Sequence, residues 1–482
     1  MYFCPAGILC IIICMWIVFK KKELFFNIVL FSAVLEIFIG KGFLFQIGGN
    51  QIPMLYLPFS IAVLFSLLKL RKIPLFILKS WLYMIGCFCM SIILLLIFPS
   101  NAMIAAPPDI RWDDIVFGTA TPVHPMVTSS VVSMTIKFIL FSFVYLYIYK
   151  KWSFNDYKKF LFKLSNISNV FLGLTIIEFL AKNVFGLNST WGEYDFLFFG
   201  ETPSTVYEGR LRGLFYESVL FNTESSIHAY SLFIVSLIKF ANNAANDKKY
   251  KIDKSIILCY VMMYLSTSFS SALMTITFLS IYMVYRWGIL RPDSMKIEMM
   301  VTVVIVLLSL SIFSITTILG TSKDDIIASR LLNMFDNIGD YFTFDANYGQ
   351  YSTFEDGSAY IRTLSIMQTL KAFLERPVFG YAIYALWCHG QTASFLASIG
   401  IVGIICWIRF YFLRIPLKNI VRPILLPYWF GVGIYMMCLF FSSGNGALRP
   451  YSYFMPLVFI NCNCFIFSKN DNSSNNLLQC RK

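Results

Sequence analysis

The residues best suited to chemistry fall in two clusters of guanidinium, carboxyl and imidazole groups set among apolar runs. In Gly209-Arg-Leu-Arg-Gly-Leu-Phe-Tyr-Glu217, Arg210 and Arg212 stand at alternate positions beside Gly213. Arg presents paired donors that match phosphate oxygens, so two of them suit a diphosphate. Snorkelling at a membrane interface is the other use, and it fits a single Arg better than two followed by Glu217 and Glu224. Glu217 is either a reacting carboxylate or the ion-pair partner of an Arg.

The second cluster pairs Arg362 with His389, which lies in Cys388-His-Gly-Gln-Thr-Ala-Ser394 at the start of an apolar run. A neutral imidazole at a membrane mouth can accept a proton from a sugar hydroxyl, because its unperturbed pKa lies near 6.5. A lone interfacial His is more often structural, and Arg362 by itself reads as a solvated helix residue. The other two histidines have plainer readings: His124 as a loop residue between Pro122 and Pro125, and His228 as a packed one. Ahead of Arg362 stand Tyr341, Phe342, Phe344, Tyr348, Tyr351 and Phe354, rings suited to lying on a membrane surface or to stacking on sugars. No HExxH, GxGxxG or phosphate-binding P-loop pattern is present, and no carboxylates are spaced as a dedicated metal site. The residues therefore predict no metal and no cofactor.

The elements that must hold these residues are membrane helices. Of 482 residues, 58% are hydrophobic and only 13% charged, where a soluble chain carries about a quarter charged residues. The mean hydropathy of +0.69 leaves no polar stretch long enough for a separate soluble domain. The formal charge of +13 sits mostly in short loops between apolar runs, where it orients a membrane protein and calls for no nucleic-acid partner. Ten of the twelve cysteines lie in or beside apolar runs and read as small hydrophobes, while Cys388 falls in a loop; neither a zinc site nor a disulfide framework is predicted. Met1 to Phe19 carries no positive charge before its apolar run, and Lys20, Lys21 and Lys22 follow it, which predicts a retained span starting outside.

Apolar runs predict about thirteen crossings, near 3–19, 24–39, 52–68, 75–98, 127–149, 160–184, 216–238, 255–269, 271–285, 299–319, 391–411, 424–441 and 451–468. Basic residues then cluster inside, at Lys20–Lys22, Lys69–Lys72, Lys150–Lys163, Lys248–Lys254, Arg286–Lys296 and Arg409–Arg422. The run at 255–285 is either two short spans broken at Ser266–Ser271 or one long tilted helix; two spans keep the basic loops inside. The outer segments are 99–126, 185–215, 320–390 and 442–450. In the longest, one helix is expected between Asp324 and Phe335. A second starts near Ser358, carries Ile361, Leu364, Met367, Leu370 and Leu374 on one face, and ends before Pro377. The expected fold is thus an all-α polytopic membrane domain over 1–468 with about 12–13 transmembrane helices, one large helical outer loop at 320–390, and a cytoplasmic tail at 469–482.

From Ser358 to Phe410 the chain carries Arg362, then Phe373-Leu-Glu-Arg-Pro-Val-Phe-Gly380, His389, and Ser394-Phe-Leu-Ala-Ser-Ile-Gly-Ile-Val-Gly403. This resembles the O-antigen polymerase and ligase superfamily, whose members show an Arg, a Pro-x-x-Gly turn, a His opening a span and a Gly-rich helix start at the end of a large periplasmic loop. Arg210 to Ala229 resembles the family's Arg-x-x-Gly-x-x-x-Glu stretch. The sequence departs in having Ser266-Thr-Ser-Phe-Ser-Ser271 without an Arg, and Gly390-Gln391 after the His. The resemblance implies a GT-C-like architecture in the bacterial inner membrane and glycosyl transfer between undecaprenyl-diphosphate-linked oligosaccharides. It assigns His389, Arg362 and Glu217 to catalysis, and Arg210, Arg212, Arg376, Tyr348 and Tyr351 to substrate binding. Membrane lipid and a chain-length regulator protein are the further partners it implies. A polymerase is favoured over a ligase that moves glycan to lipid A-core. A flippase, the rival class, predicts structural repeats and short outer loops instead.

Overall fold

The computed structural model describes residues 2–20, 23–39, 43–47, 50–106, 109–183, 185, 225–245, 254–265 and 357–411. Among these the chain is predominantly helical. Its helices are α1 (Pro5–Lys20), α2 (Leu24–Val34), α3 (Tyr56–Lys69), α4 (Leu75–Ile97), α5 (Trp112–Val116), α6 (Ser129–Lys151), α7 (Phe154–Asn183), α8 (Ser225–Ala245), α9 (Lys254–Leu265), α10 (Gly357–Glu375) and α11 (Gln391–Tyr411). Four described helices are long and apolar enough to cross a membrane: Leu75–Ile97, Ser129–Lys151, Asn155–Leu180 and Thr392–Tyr411. Helices α1, α2, α3 and α9 are apolar but shorter.

Two departures from the expected helices concern the ends of the bundle. A small antiparallel sheet interrupts the all-α expectation: β1 (Tyr2–Phe3), β2 (Phe43–Ile47) and β3 (Asn50–Pro53) pair in that order. Gly48-Gly49 joins β2 and β3 in the sequence, a dipeptide that two-residue hairpins favour. The sheet packs on the start of α1, where a side chain at Gly7 would meet the Leu44 carbonyl at 2.5 Å. The other departure is α8, described over Ser225–Ala245, which runs past residue 238, where the expected 216–238 span ends. This brings Lys239 and Asn243 inside a helix, where both are buried and Lys239 Nζ donates to Asn169 Oδ1.

The core is a seam of side chains shared by α1, α2, α3, α4, α6, α7, α8, α9 and α11. One end of the bundle, rich in Lys, is closed by rings: Phe25 meets Tyr147 at 4.4 Å, and Trp152 meets Tyr157 and Phe160, each at 5.3 Å. Lys159 pairs with Glu23 across this basic end. At the opposite end lie the 98–128 segment, α10 and the start of α11.

Candidate functional site

At that opposite end, α11 is not the continuous helix that the apolar run predicts. Gly400 has φ +64 and ψ −177, so the helix breaks there. An elbow at residues 376–382 fills the break: Tyr381 and Ala382 N–H donate to the Ala397 and Ser398 carbonyls, while Ile401 and Val402 N–H donate to Pro377 and Val378. A helix break leaves carbonyls and amides unpaired on its two sides, and the elbow supplies both kinds of partner. The close approach needs glycine at two points. A Cβ at Gly380 (φ +68) would lie 2.4 Å from the Ala397 carbonyl, and one at Gly400 2.3 Å from Val378 O. The Pro-x-x-Gly and Gly-rich motifs are therefore two halves of one packing unit.

Two neighbours position the segment that leaves the elbow. On one side Trp387 N–H donates to Ala105 O at 2.7 Å, and Trp112 Nε1 donates to Trp387 O at 2.8 Å. On the other, His389 N–H donates to Ser365 Oγ on α10 at 3.1 Å, and Cys388 Sγ contacts Ser365 O. Burial pushes the Cys388 thiol up to about 11, against the lowering effect of its polar neighbours, so it stays a protonated packing group at neutral pH.

His389 is thereby held with its side chain only 15% exposed and its Nε2 3.8 Å from Asp113 Oδ1. Its ring meets Trp387 edge-on at 4.4 Å. Asp113 is a residue the sequence reading did not single out. Its neighbour Asp114 caps the short helix α5 by accepting from Arg111 N–H at 3.0 Å, so the adjacent acids have separate tasks. The signal was Arg111-Trp-Asp-Asp114 within residues 99–126, but nothing local points it at His389. A carboxylate at this distance can offset the charge on an imidazole that accepts a proton.

Arg362 lies on α10, the helix that also carries Ser365. The structure thus brings α10, through Ser365, to the segment carrying His389. Arg376 is placed differently from a ligand-facing cation. Its guanidinium donates to Leu94 O at 3.4 Å and to Phe98 O, closing the C-terminus of α4, and stacks over Tyr381 at 5.0 Å. Beside it, Glu375 Oε2 accepts from Ser100 Oγ at 3.1 Å and from the Tyr381 hydroxyl at 2.8 Å. His124 Nδ1 lies 3.2 Å from Ala102 O, in keeping with a loop residue, and His228 is buried against Phe171.

Arg210, Arg212, Glu217, Tyr348, Tyr351, the remaining rings of the long loop, the Ser266–Ser271 seam, and the runs at 299–319, 424–441 and 451–468 lie outside the described residues. Among the described residues no three His, Cys, Asp or Glu side chains gather as a metal site. No protein-family model and no curated protein matches the chain.

Proposed function

We propose that this chain is a surface-polysaccharide polymerase of the O-antigen type, a multi-pass protein of the bacterial inner membrane that joins undecaprenyl-diphosphate-linked repeat units at the periplasmic face. The observation that carries the reading is the largely buried His389–Asp113 pair at the start of a candidate span, beside the helix that carries Arg362. In this reaction the acceptor sugar hydroxyl attacks the anomeric carbon of the donor. The new glycosidic C–O bond forms as the bond to the diphosphate breaks, and undecaprenyl diphosphate leaves with the electron pair. His389 takes the hydroxyl proton, and Asp113 holds the resulting imidazolium. Arg362, Arg210 and Arg212 stabilise the charge that grows on the departing diphosphate, Glu217 positions an Arg, and Tyr348 and Tyr351 hold the glycan. Arg376 supports the site by fixing α4 to the elbow.

The test is the chain-length ladder of surface polysaccharide in a strain carrying only His389→Ala, with a membrane blot for protein amount. A general base contributes a factor of about 10² to 10⁴ in rate, so single repeat units should replace long chains at unchanged protein level. A normal ladder would remove the catalytic role. Normal-length chains that stay on the lipid carrier and never reach lipid A-core would assign the ligase activity instead.

A further inference from the structure

The elbow meets α11 well inside the stretch that is long and apolar enough to cross a membrane. Thr392–Tyr411 has 20 residues, which at about 1.5 Å each and across the break at Gly400 reach at most roughly 30 Å, the thickness of a hydrocarbon core. The elbow pairs with residues 397–402 of that span, roughly 8 to 15 Å inside its first residue. We propose that the end of α10 and the elbow, residues 374–382, form a re-entrant element embedded in the lipid layer, its exposed apolar side chains covered by bilayer lipid.

The side chains sort as that placement requires. Leu374 and Val378 are 67% and 50% exposed, although Leu374 shares its apolar helix face with the buried Ile361 and Leu364. Val378 is tied through its carbonyl to Val402, next to Ile401, which is 48% exposed on the face of a candidate span. Ile97 and Phe98, at the end of α4 that Arg376 holds, are exposed too. These residues continue the outward apolar face of two candidate spans across the elbow, and a contiguous exposed apolar surface of this kind marks a membrane contact. The polar tips run the other way: Arg376, Glu375 and the Tyr381 hydroxyl all reach toward Leu94–Ser100 at the outer end of α4, as long side chains do when their backbone lies in lipid and their heads seek the interface. Main-chain partners on α11 satisfy the irregular backbone, the condition under which such backbone is tolerated at membrane depth. The inference concerns placement alone and stands whether or not the chain transfers glycans.

The full-length protein, reconstituted in phosphatidylethanolamine and phosphatidylglycerol vesicles, tests it by photocrosslinking. A diazirine amino acid is placed in turn at positions 374, 378, 405 and 119, where Ile405 is an exposed residue of the candidate span and Thr119 an exposed residue of the 98–128 segment. Positions 374 and 378 should form phospholipid adducts at the yield of position 405, with position 119 at background. Adduct yields at the level of position 119 would overturn the proposal, whether the photoproduct is quenched by water or joins another segment of this chain or a second copy.

Discussion

At the basic end of the bundle Phe25, Phe26, Trp152, Tyr157 and Phe160 touch ring to ring, whereas at the other end the elbow meets α11 through main-chain hydrogen bonds and two glycines. Ring packing fills space and tolerates small shifts, since no single contact fixes an angle. Main-chain bonds to a broken helix set position and direction together. The difference explains why the candidate chemistry sits at the second end: the backbone at residues 387–389 is fastened from two sides, and the imidazole inherits that fixity.

The comparison can be broken by substitution, starting where the effect on stability is greatest. Phe160→Ala removes a fully buried ring from the basic end and should cost about 3–5 kcal/mol, read as a lower thermal-inactivation midpoint in detergent. Protein that survives should keep its activity per molecule. Gly400→Ala forces an L side chain into the left-handed region and against a carbonyl, a cost of about 1–3 kcal/mol or more. Here activity per folded molecule should fall as well, because the elbow leads to His389; unchanged activity would sever that link.

Smaller effects sharpen the contrast. Asp113→Asn keeps the shape beside His389 and removes the charge, and should lower polymer formation by about tenfold, or roughly 1.4 kcal/mol, with little change in inactivation temperature. A loss of stability without loss of rate would make the pair a packing contact. Gly86→Ala, in α4 with open space around the new methyl, should stay within about 0.5 kcal/mol of wild type. This control shows that glycine matters at Gly380 and Gly400 for its surroundings.

The candidate spans at 75–97, 129–151 and 392–411 were legible because uninterrupted apolar length is itself the signal. The end of α10 before Pro377 was legible as well, since proline cannot continue a helix. The break at Gly400 was not, because a glycine in an apolar run is compatible with a continuous helix until the elbow that pairs with it is known. The sheet at 43–53 was not legible, because its strands are short and their one local signal is a single Gly-Gly pair. His389 and Arg362 stood out by residue type and order, but Asp113 meets His389 only through tertiary folding. Arg376 shows the converse: beside Pro377 it has the look of a ligand contact, and its guanidinium closes a helix end.

The most direct measurement takes the purified protein in vesicles with undecaprenyl-diphosphate-linked repeat units as the sole substrate, and follows both glycan length and free undecaprenyl diphosphate. The account predicts oligomers, one undecaprenyl diphosphate released per linkage formed, and loss of both with His389→Ala. Repeat units that cross the bilayer unjoined, with no lipid diphosphate released, would contradict it and make the chain a transporter.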